Sequence, residues 1–383
     1  MSGTNFSRDE FNLLSGRYHE NAAHSHSIDT RCYLEDKYLE IERRQIFHRS
    51  WQFVCHEEKL REPGSYVSLS VEGQSVVALC NHDGELRAYY NVCKHRGHEL
   101  LFGDGKVKRI TCPYHAWTYD LEGALVNAPR SAHIEDFDRK SICLEAVRIE
   151  TFCHLVFVNL DTNATPLAEQ SGELATEIMA YAPDLAGLTF ARRLTYTLEA
   201  NWKAVVDNFL ECYHCPVAHK GFSSMIDMDT YQVKTHGIYS SHMARARAGA
   251  NNAYDIEGAT VTDHAVWYLW PNMTLMRYPG SGNFMVWRFY PLGPEATYEV
   301  FDFFFESARP SAAELDAIEF IDKVLQPEDI GLVESVQRGM RTPAFNSGRY
   351  MVDADGSGMS EHAVHHFHGL LLNAYRHAVE TPG

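Results

Sequence analysis

The spacing of apolar residues changes near Ser65, where a period of two replaces the helical spacing of the preceding residues. Short stretches with strand character occupy 66–71, 75–80 and 85–90, and turns containing Gly, Asn or Asp separate them. Such runs predict antiparallel β-strands joined by tight turns. The pattern continues as far as 155–160, so we expect a small antiparallel β unit in the first half of the chain.

Helical and strand-like spacing both occur in the rest of the chain. Apolar residues at helical spacing predict helices at 34–47, 166–181, 201–214, 311–325 and 329–338, with the last two meeting at Pro327. Strand-like runs lie at 192–198, 265–270, 283–290 and 298–305. The chain is therefore predicted to be an α+β protein.

The length of the chain predicts two domains. Its 383 residues are about two to three times the number found in a usual single domain. The period-two pattern stops near Asp161. We therefore predict an N-terminal segment, 1–45, that packs with the second domain, a β domain at 46–160, and a second domain at 161–383.

Charge and composition narrow the class of partners. The 34 Lys and Arg against 51 Asp and Glu give a formal net charge of −17, which argues against nucleic acid as a partner because phosphate contacts need clustered cations.

No apolar run approaches the roughly 18 residues of a membrane span, and the polar start does not resemble a signal peptide, so we expect a cytoplasmic protein. Nine Cys and 21 His favour metal chemistry over disulfides.

Two short Cys/His pairs carry the first chemical signal. Cys93 and His95 are separated by one residue, and Cys112 and His115 by two. Two thiolates and two imidazoles at hairpin ends could bind zinc. The C-x-H and C-x2-H arrangement, however, is the one in which two cysteines hold one iron of a [2Fe–2S] cluster and two histidines hold the other. The surrounding residues resemble the Rieske signature, which favours the cluster over zinc.

A second constellation suggests an open iron site. Glu211 and His214 lie three residues apart, so a helix would place them on one face. His219 follows, and the intervening Pro216 disfavours a continuous helix, which could bring both imidazoles to one metal. Two histidines with a distant carboxylate form the facial triad of non-haem Fe(II) oxygenases, which leaves positions open for dioxygen. Asp329, at the start of a predicted helix, is our choice for the carboxylate.

Two other interpretations of this stretch remain open. Cys212 and Cys215 form a C-x-x-C pair, which is typical of redox or zinc elements. The two histidines could instead be hydrogen-bonded core residues. The presence of the Cys/His loops favours the iron site, because a one-electron carrier and an oxygen-activating iron belong in one enzyme.

Together these motifs resemble those of the α subunits of Rieske non-haem iron oxygenases. The likeness covers nearly the whole chain, and 201–219 matches the iron-site motif of that family. Within the family, 207–215 and 327–337 are similar to the carnitine monooxygenases and betaine-demethylating oxygenases, which supports Asp329 as the carboxylate ligand. The resemblance implies an antiparallel Rieske domain and a helix-grip catalytic domain in a homotrimer.

The resemblance also implies a path for electrons. A flavin- or iron–sulfur-containing NAD(P)H reductase would reduce the [2Fe–2S] cluster, and it must be another protein because this chain has no nucleotide-binding fingerprint. In the family, a carboxylate three residues before the first iron histidine bridges to a Rieske histidine of a neighbouring subunit. Here that carboxylate is Glu211 instead of the usual Asp, and its partner by position in the motif is His115.

Aromatic residues in the second domain indicate the substrate. Trp267, Tyr268 and Trp270 lie in one predicted strand and Trp287 in the next. Aromatic faces hold quaternary ammonium groups, although aromatic residues in a sheet are more often core. With the resemblance to carnitine and betaine oxygenases, we predict that the first three bind a small cationic substrate. Candidate partners for a substrate carboxylate are Arg245, Arg247 and Arg277.

Three functions are compatible with these patterns. The favoured one is the oxygenase component of a two-component monooxygenase that hydroxylates carnitine, glycine betaine or a related betaine and cleaves a C–N bond. The second is an aromatic-ring hydroxylating oxygenase with the same irons. The third is an electron-transfer Rieske protein without a mononuclear iron.

Overall fold

A computed structural model describes residues 6–247, 261–280 and 282–380. The chain divides into two compact units. One is formed by Met1–Ile46 together with Gln170–Gly383, and the other by Phe47–Glu169. We call the first the catalytic unit and the second the β unit.

The end of the β unit lies beyond the predicted position at residue 160. Residues after Asp161 stay with this unit because two of their carbonyl groups accept hydrogen bonds from it. The Trp51 indole donates to the Thr165 carbonyl at 3.0 Å, and the Arg148 guanidinium donates to the Ala164 carbonyl at 2.6 Å.

The β unit contains two antiparallel sheets. Its strands are β1 Gln52–His56, β2 Ser65–Val71, β3 Gln74–Cys80, β4 Leu86–Tyr90, β5 Asp104–Lys106, β6 Ile110–Thr111, β7 Thr118–Tyr119, β8 Leu125–Asn127, β9 Ala146–Phe152 and β10 Leu155–Asn159. The larger sheet has the order β1-β10-β9-β4-β3-β2-β5, and β6, β7 and β8 form the smaller one. One hydrophobic cluster of this unit includes Cys93 and Cys112, so the fold holds both thiols in its core.

The catalytic unit is built on one seven-stranded antiparallel sheet. Its strands are β11 Thr189–Leu198, β12 Ile226–His236, β13 Tyr239–Ala246, β14 Asp263–Leu269, β15 Met273–Arg277, β16 Asn283–Gly293 and β17 Ala296–Phe305, in the order β11-β17-β16-β15-β14-β13-β12. The sequence analysis missed β12, β13 and β15. The first two are rich in polar residues and the third has five residues, so their apolar period is weak.

Helices complete the catalytic unit and connect it to the β unit along the chain. They are α1 Arg8–Ser15, α2 Arg31–Leu34, α3 Asp36–Gln45, α4 Leu167–Gln170, α5 Leu174–Tyr181, α6 Trp202–Phe209, α7 Cys215–Ala218, α8 Lys220–Met225, α9 Ala312–Phe320, α10 Gln326–Met340 and α11 His362–Glu380. The predicted helix at 166–181 is two helices, because Gly172 between them has a φ of +54°. The predicted helix at 201–214 ends at Phe209, before the candidate iron ligands.

The predicted break at Pro327 is absent from the structure. A π-helical turn, Ile321–Leu325, joins α9 to α10, and Leu325 keeps helical backbone angles. A π turn changes the i→i−4 hydrogen-bond pattern, so the missing N–H of Pro327 can be accommodated in the first turn of α10. The continuous helical segment brings Asp329 to the iron site.

The N-terminal segment is joined to α6 by a buried carboxylate. Glu42 on α3 accepts hydrogen bonds from the Trp202 indole at 2.7 Å and from the Lys203 ammonium at 2.6 Å. The side chains of Glu42 and Lys203 are fully buried. Removing one partner of such a pair would leave an uncompensated buried charge, so these contacts fix the start of α6.

Candidate metal centres and substrate cavity

Two histidines and one aspartate of the catalytic unit converge on a single point. One ligand atom from each of His214, His219 and Asp329 lies within 4.8 Å of the other two. His219 Nε2 is 2.9 Å from Asp329 Oδ1 and 3.1 Å from His214 Nε2. His214 directly precedes the short helix α7 and His219 directly follows it, and the first turn of α10 positions the aspartate. These are the three residues that the sequence analysis selected for iron.

Carboxylates behind the two histidines fix their orientation. Glu211 hydrogen-bonds to His214 Nδ1 and also accepts from the His214 backbone N–H at 3.1 Å. Glu328 accepts from His219 Nδ1 at 2.8 Å. Each imidazole therefore directs its Nε2 towards the common point, as is usual for metal-binding histidines. Sequence reasoning missed Glu328, although its position beside Asp329 was a usable signal.

The charges at this point favour a cation. Burial opposes protonation of His219, but Asp329 and Glu328 outweigh that effect and raise its pKa to about 9. A bound divalent metal would take the place of that proton. The donor set of two imidazoles and one carboxylate fits Fe(II) and leaves coordination positions open.

The four cluster candidates lie on two loops of the β unit with the same backbone construction. In the first, the Cys93 N–H donates to the His98 carbonyl at 2.8 Å, and the Gly97 N–H donates to the Cys93 carbonyl at 3.0 Å. In the second, the Cys112 N–H donates to the Trp117 carbonyl at 2.8 Å. The Ala116 N–H closes that loop on the Cys112 carbonyl at 3.0 Å.

These loops bring two thiols and two imidazoles together. Cys93 and Cys112 are free, buried cysteines. The rings of His95 and His115 are 4.6 Å apart between centroids, and His115 Nδ1 is buried without a hydrogen-bond partner in the described part of the chain. Burial raises the pKa of the Cys93 thiol. An unpartnered imidazole nitrogen beside paired thiols fits a [2Fe–2S] cluster with two Cys and two His ligands.

A cavity of about 150 Å³ lies beside the iron triad. Its wall contains Phe209, Trp287 and Phe301, and the ring of Trp287 contacts the other two. The centroids of Phe209 and Trp287 are 5.1 Å apart, and those of Trp287 and Phe301 are 4.5 Å apart. Much of the remaining wall is apolar and includes Met276 and Met285. The triad therefore faces a small chamber with an aromatic side.

The structure does not place the three predicted substrate-binding residues on this cavity. Trp267 lies on the opposite face of β14 from Val266, which lines the cavity, and its indole donates to Glu177 at 3.0 Å. Tyr268 and Trp270 pack against Phe367 of α11, with centroids 5.8 Å and 5.9 Å away. That prediction is wrong for the cavity described, and Trp287 is the tryptophan that lines it.

The candidate arginines also lie away from the cavity wall. Arg277 is 1% exposed and forms an ion pair with Asp184 at 3.1 Å. Arg245 and Arg247 are exposed. None of the three lines the cavity formed by the described residues.

The C-x-x-C pair forms a disulfide. Cys212 is bonded to Cys215, on either side of His214, and both residues line the cavity. This bond corrects the expectation, drawn from the counts of Cys and His, of metal chemistry in place of disulfides. With both sulfurs occupied, the pair does not provide thiolates for zinc.

Comparison with known protein families identifies two regions. Residues 50–138 match the Rieske [2Fe-2S] domain. Residues 185–376 match the ring hydroxylating alpha subunit (catalytic domain).

Related proteins match over most of their length. The carnitine monooxygenase oxygenase subunit of Escherichia coli K12 is 37% identical over 366 residues, which cover 95% of this chain and 98% of that protein. The carnitine monooxygenase oxygenase subunit of Acinetobacter pittii is 37% identical over 90% of this chain and 93% of its own. The chloroplastic choline monooxygenase of Beta vulgaris is 32% identical over 88% of this chain and 75% of its own.

Solved structures agree with the architecture. The quaternary ammonium Rieske monooxygenase CntA in complex with its substrate L-carnitine superposes with a TM-score of 0.85 at 33% identity, covering 95% of this chain and 98% of that one. Naphthalene 1,2-dioxygenase from Rhodococcus sp. superposes with a TM-score of 0.83 at 18% identity, covering 97% of this chain and 99% of that one. The second likeness concerns the fold alone.

Proposed function

The chain belongs to the Rieske-type ring-hydroxylating oxygenases as an α subunit, and from this premise we propose that it oxidises carnitine, glycine betaine or a related betaine. It is a Rieske non-haem iron monooxygenase with a [2Fe–2S] cluster and a mononuclear iron. The observation that carries the proposed substrate is the aromatic cavity beside the iron triad. Cations are attracted to aromatic faces by about 0.5–2 kcal/mol for each contact.

We assign each metal centre to the residues that the geometry brings together. Cys93, His95, Cys112 and His115 would hold the cluster, and the triad His214, His219 and Asp329 would hold the iron. When bound, the cluster supplies single electrons and the iron activates dioxygen. The protein's own contribution is to orient the imidazoles through Glu211 and Glu328 and to keep the cavity wall apolar.

Glu211 would also carry the connection between the two centres. The CntA enzyme, to which this chain is similar, has been described in terms of inter-subunit electron transfer. We propose that Glu211, in contact with His214, accepts a hydrogen bond from the partner's cluster ligand equivalent to His115. This arrangement requires an oligomer, for which a homotrimer is our proposal, and a separate NAD(P)H reductase as electron donor.

The position of oxidation determines the products. Hydroxylation of an N-methyl carbon would give a carbinolamine that releases formaldehyde and the demethylated amine. Hydroxylation of the chain carbon beside nitrogen, as in carnitine, would release trimethylamine instead. Both outcomes cleave a C–N bond and differ in the carbon that is presented to the iron.

A substrate panel tests the proposal. The enzyme, a Rieske-oxygenase reductase and NADH are incubated with carnitine, γ-butyrobetaine, glycine betaine, choline and naphthalene. We expect formaldehyde or trimethylamine from at least one quaternary ammonium compound and no diol from naphthalene. A diol from naphthalene, with neither formaldehyde nor trimethylamine from the quaternary ammonium compounds, would show a ring-hydroxylating enzyme and reject the proposal. His214→Ala controls for oxidation that does not depend on the iron site.

A further inference from the structure

The cavity has two chemically different ends along the sheet. Val266 of β14 pairs with Met276 of β15, and Met276 pairs with Met285 of β16. Trp287 lies two residues after Met285 on the same face of the sheet, next to its cross-strand partner Phe301. Towards the opposite end of the cavity, His264 lies two residues before Val266, and Tyr278 lies two residues after Met276. Both ends line the cavity.

Tyr278 presents a polar atom to which no described residue is hydrogen-bonded. Its hydroxyl oxygen is buried, and the residue lines the cavity. The backbone is held in place, because the Tyr278 N–H donates to the Asn283 side chain at 3.2 Å and the Asn283 amide donates to the Tyr278 carbonyl at 3.0 Å. Burying an unsatisfied hydroxyl destabilises a protein, so such a group indicates a missing ligand atom.

His264 lies at the same end of the cavity. It is 5% exposed and packs edge-on against Phe222, with centroids 5.5 Å apart. Within the described part of the chain, its imidazole has no hydrogen bond. Burial lowers its pKa to about 4, so the ring is neutral at physiological pH. A neutral imidazole offers one N–H donor and one acceptor nitrogen.

We propose that Tyr278 and His264 bind the oxygen-bearing end of the substrate. This inference rests on the proposed function, and it assigns an orientation to the substrate within the same cavity. The trimethylammonium group would contact Trp287 and Phe301, while an oxygen atom at the other end accepts hydrogen bonds from the Tyr278 hydroxyl and the His264 ring. That oxygen belongs to the carboxylate of a betaine or to the hydroxyl of choline.

The orientation also explains why no arginine is needed at the oxygen-bearing end. Arg277 precedes Tyr278 in sequence but is on the other face of β15, where it is paired with Asp184. Two neutral donors can satisfy a carboxylate oxygen or a hydroxyl without an additional buried cation. Hydrogen bonds to charged groups contribute more than those to neutral groups, so a carboxylate should gain more from this end.

The test compares three quaternary ammonium ligands that carry a carboxylate, a hydroxyl or a methyl group at the end away from nitrogen. Calorimetric Kd values are measured for the iron-loaded enzyme and its Tyr278→Phe variant with γ-butyrobetaine, choline and butyltrimethylammonium. The substitution removes one hydroxyl and keeps the ring. We expect γ-butyrobetaine binding to weaken by about tenfold and butyltrimethylammonium binding to change by less than about twofold. Loss confined to γ-butyrobetaine or to choline supports the inference and identifies the oxygen that is bound.

A stability measurement separates binding from a structural role. Because the Tyr278 hydroxyl has no hydrogen-bond partner among the residues that the structure describes, Tyr278→Phe should leave the thermal unfolding temperature of the free enzyme unchanged or raise it. Tyr239→Phe is the matched control, since its hydroxyl donates to Glu177 at 3.0 Å on the other sheet face. That control should lower the unfolding temperature and keep the Kd ratio of the ligands.

Other outcomes overturn the inference. Equal weakening of all three ligands by Tyr278→Phe would indicate lost packing, and no change for any of them would show that the hydroxyl does not bind substrate. In both cases the wild-type enzyme still binds quaternary ammonium compounds, so the proposed function stands. Wild-type protein that binds none of the three rejects this inference, and the substrate panel, which also contains carnitine and glycine betaine, then decides the proposed function.

Discussion

The two metal centres of this chain are built in different ways. The cluster loops are two copies of one local turn, in which a cysteine N–H donates to the carbonyl five residues later. The iron triad instead gathers His214 and His219 from one chain segment and Asp329 from another, joined by the fold of the catalytic unit. A centre that is encoded locally can be recognised from a short motif, whereas a centre that is assembled by the fold depends on tertiary structure.

This difference predicts separable metal loss, which is the largest effect we expect. His214→Ala should abolish oxygenation and remove the mononuclear iron while the cluster keeps its electron paramagnetic resonance signal, because the cluster ligands belong to the other unit. Cys93→Ala should remove the cluster signal and leave the mononuclear iron in place. The iron content and the signal of the reduced cluster are measured in each variant. Loss of both centres in either variant would contradict the separation.

The two regions also differ in their histidines, which leads to a prediction about acid. His242 and His264 are buried in the catalytic unit, and burial lowers their pKa values to about 3 and about 4. The proposed cluster ligand His95 is exposed. An unfolded histidine titrates near 6.5, so between that pH and the folded-state value the unfolded chain binds more protons. The contribution of these two histidines to the stability of the catalytic unit should therefore be full above about pH 6.5 and be lost as the pH decreases.

Between pH 7 and pH 5, the two histidines together should lower the free energy of unfolding by roughly 3–4 kcal/mol. Denaturant unfolding at both pH values measures it. His242→Phe removes one titrating group and keeps a ring against Phe209, so the pH-dependent loss should be about half as large. An unchanged loss in that variant would place the acid sensitivity elsewhere.

A smaller effect should come from the carboxylate behind His219. Glu328→Gln keeps an acceptor for His219 Nδ1 but removes the charge, so we expect iron affinity to fall by about 10–100-fold. Competition with a chelator measures the affinity. Glu334→Gln on the same helix is the control, because its contact is with the Glu199 N–H, and it should leave iron affinity unchanged.

The sequence predicted the parts of the molecule in which local pattern is sufficient. The two Cys/His pairs could be recognised because their ligand types and their spacing within each loop are typical of a cluster site. His214 and His219 stood out through their local spacing, whereas Asp329 was chosen for its place at the start of a predicted helix and gained support from the family resemblance, since no spacing rule connects residues that distant in sequence. The π turn before α10 has no strong signature in composition.

The lining of the cavity beside the triad was not predicted from the sequence, and none of the three residues chosen to bind substrate belongs to it. Trp267, Tyr268 and Trp270 form a conspicuous aromatic run, but adjacent residues of a strand face opposite sides of a sheet. β14 is buried along nearly its whole length, so its apolar pattern does not indicate which face lines a cavity. The position along the strand also decides whether a residue reaches the cavity. Tyr268 shares a face with Val266 but contacts Phe367 instead. Only the sheet register resolves these choices.

The smallest predicted effect tests whether the two cluster loops are equivalent. Gly97 has a φ of +72° and Ala116, at the same place in the second loop, has a φ of +57°. A side chain in this left-handed region costs about 1–2 kcal/mol, and nothing lies within 4 Å of a Cβ at Gly97. Gly97→Ala should therefore destabilise the β unit by about 1 kcal/mol through the backbone alone.

Ala116→Gly should raise the free energy of unfolding of the β unit by up to about 1 kcal/mol. Glycine relieves the backbone strain, but its greater freedom in the unfolded chain offsets part of that gain. Gly84→Ala is the matched control: it has a φ of +82° and open space around its Cβ position, in a hairpin turn outside the cluster loops. It should share the stability cost and leave the reduction potential of the cluster unchanged. If the two loop variants shift the free energy of unfolding in the same direction, the loops are not equivalent despite their matching hydrogen bonds.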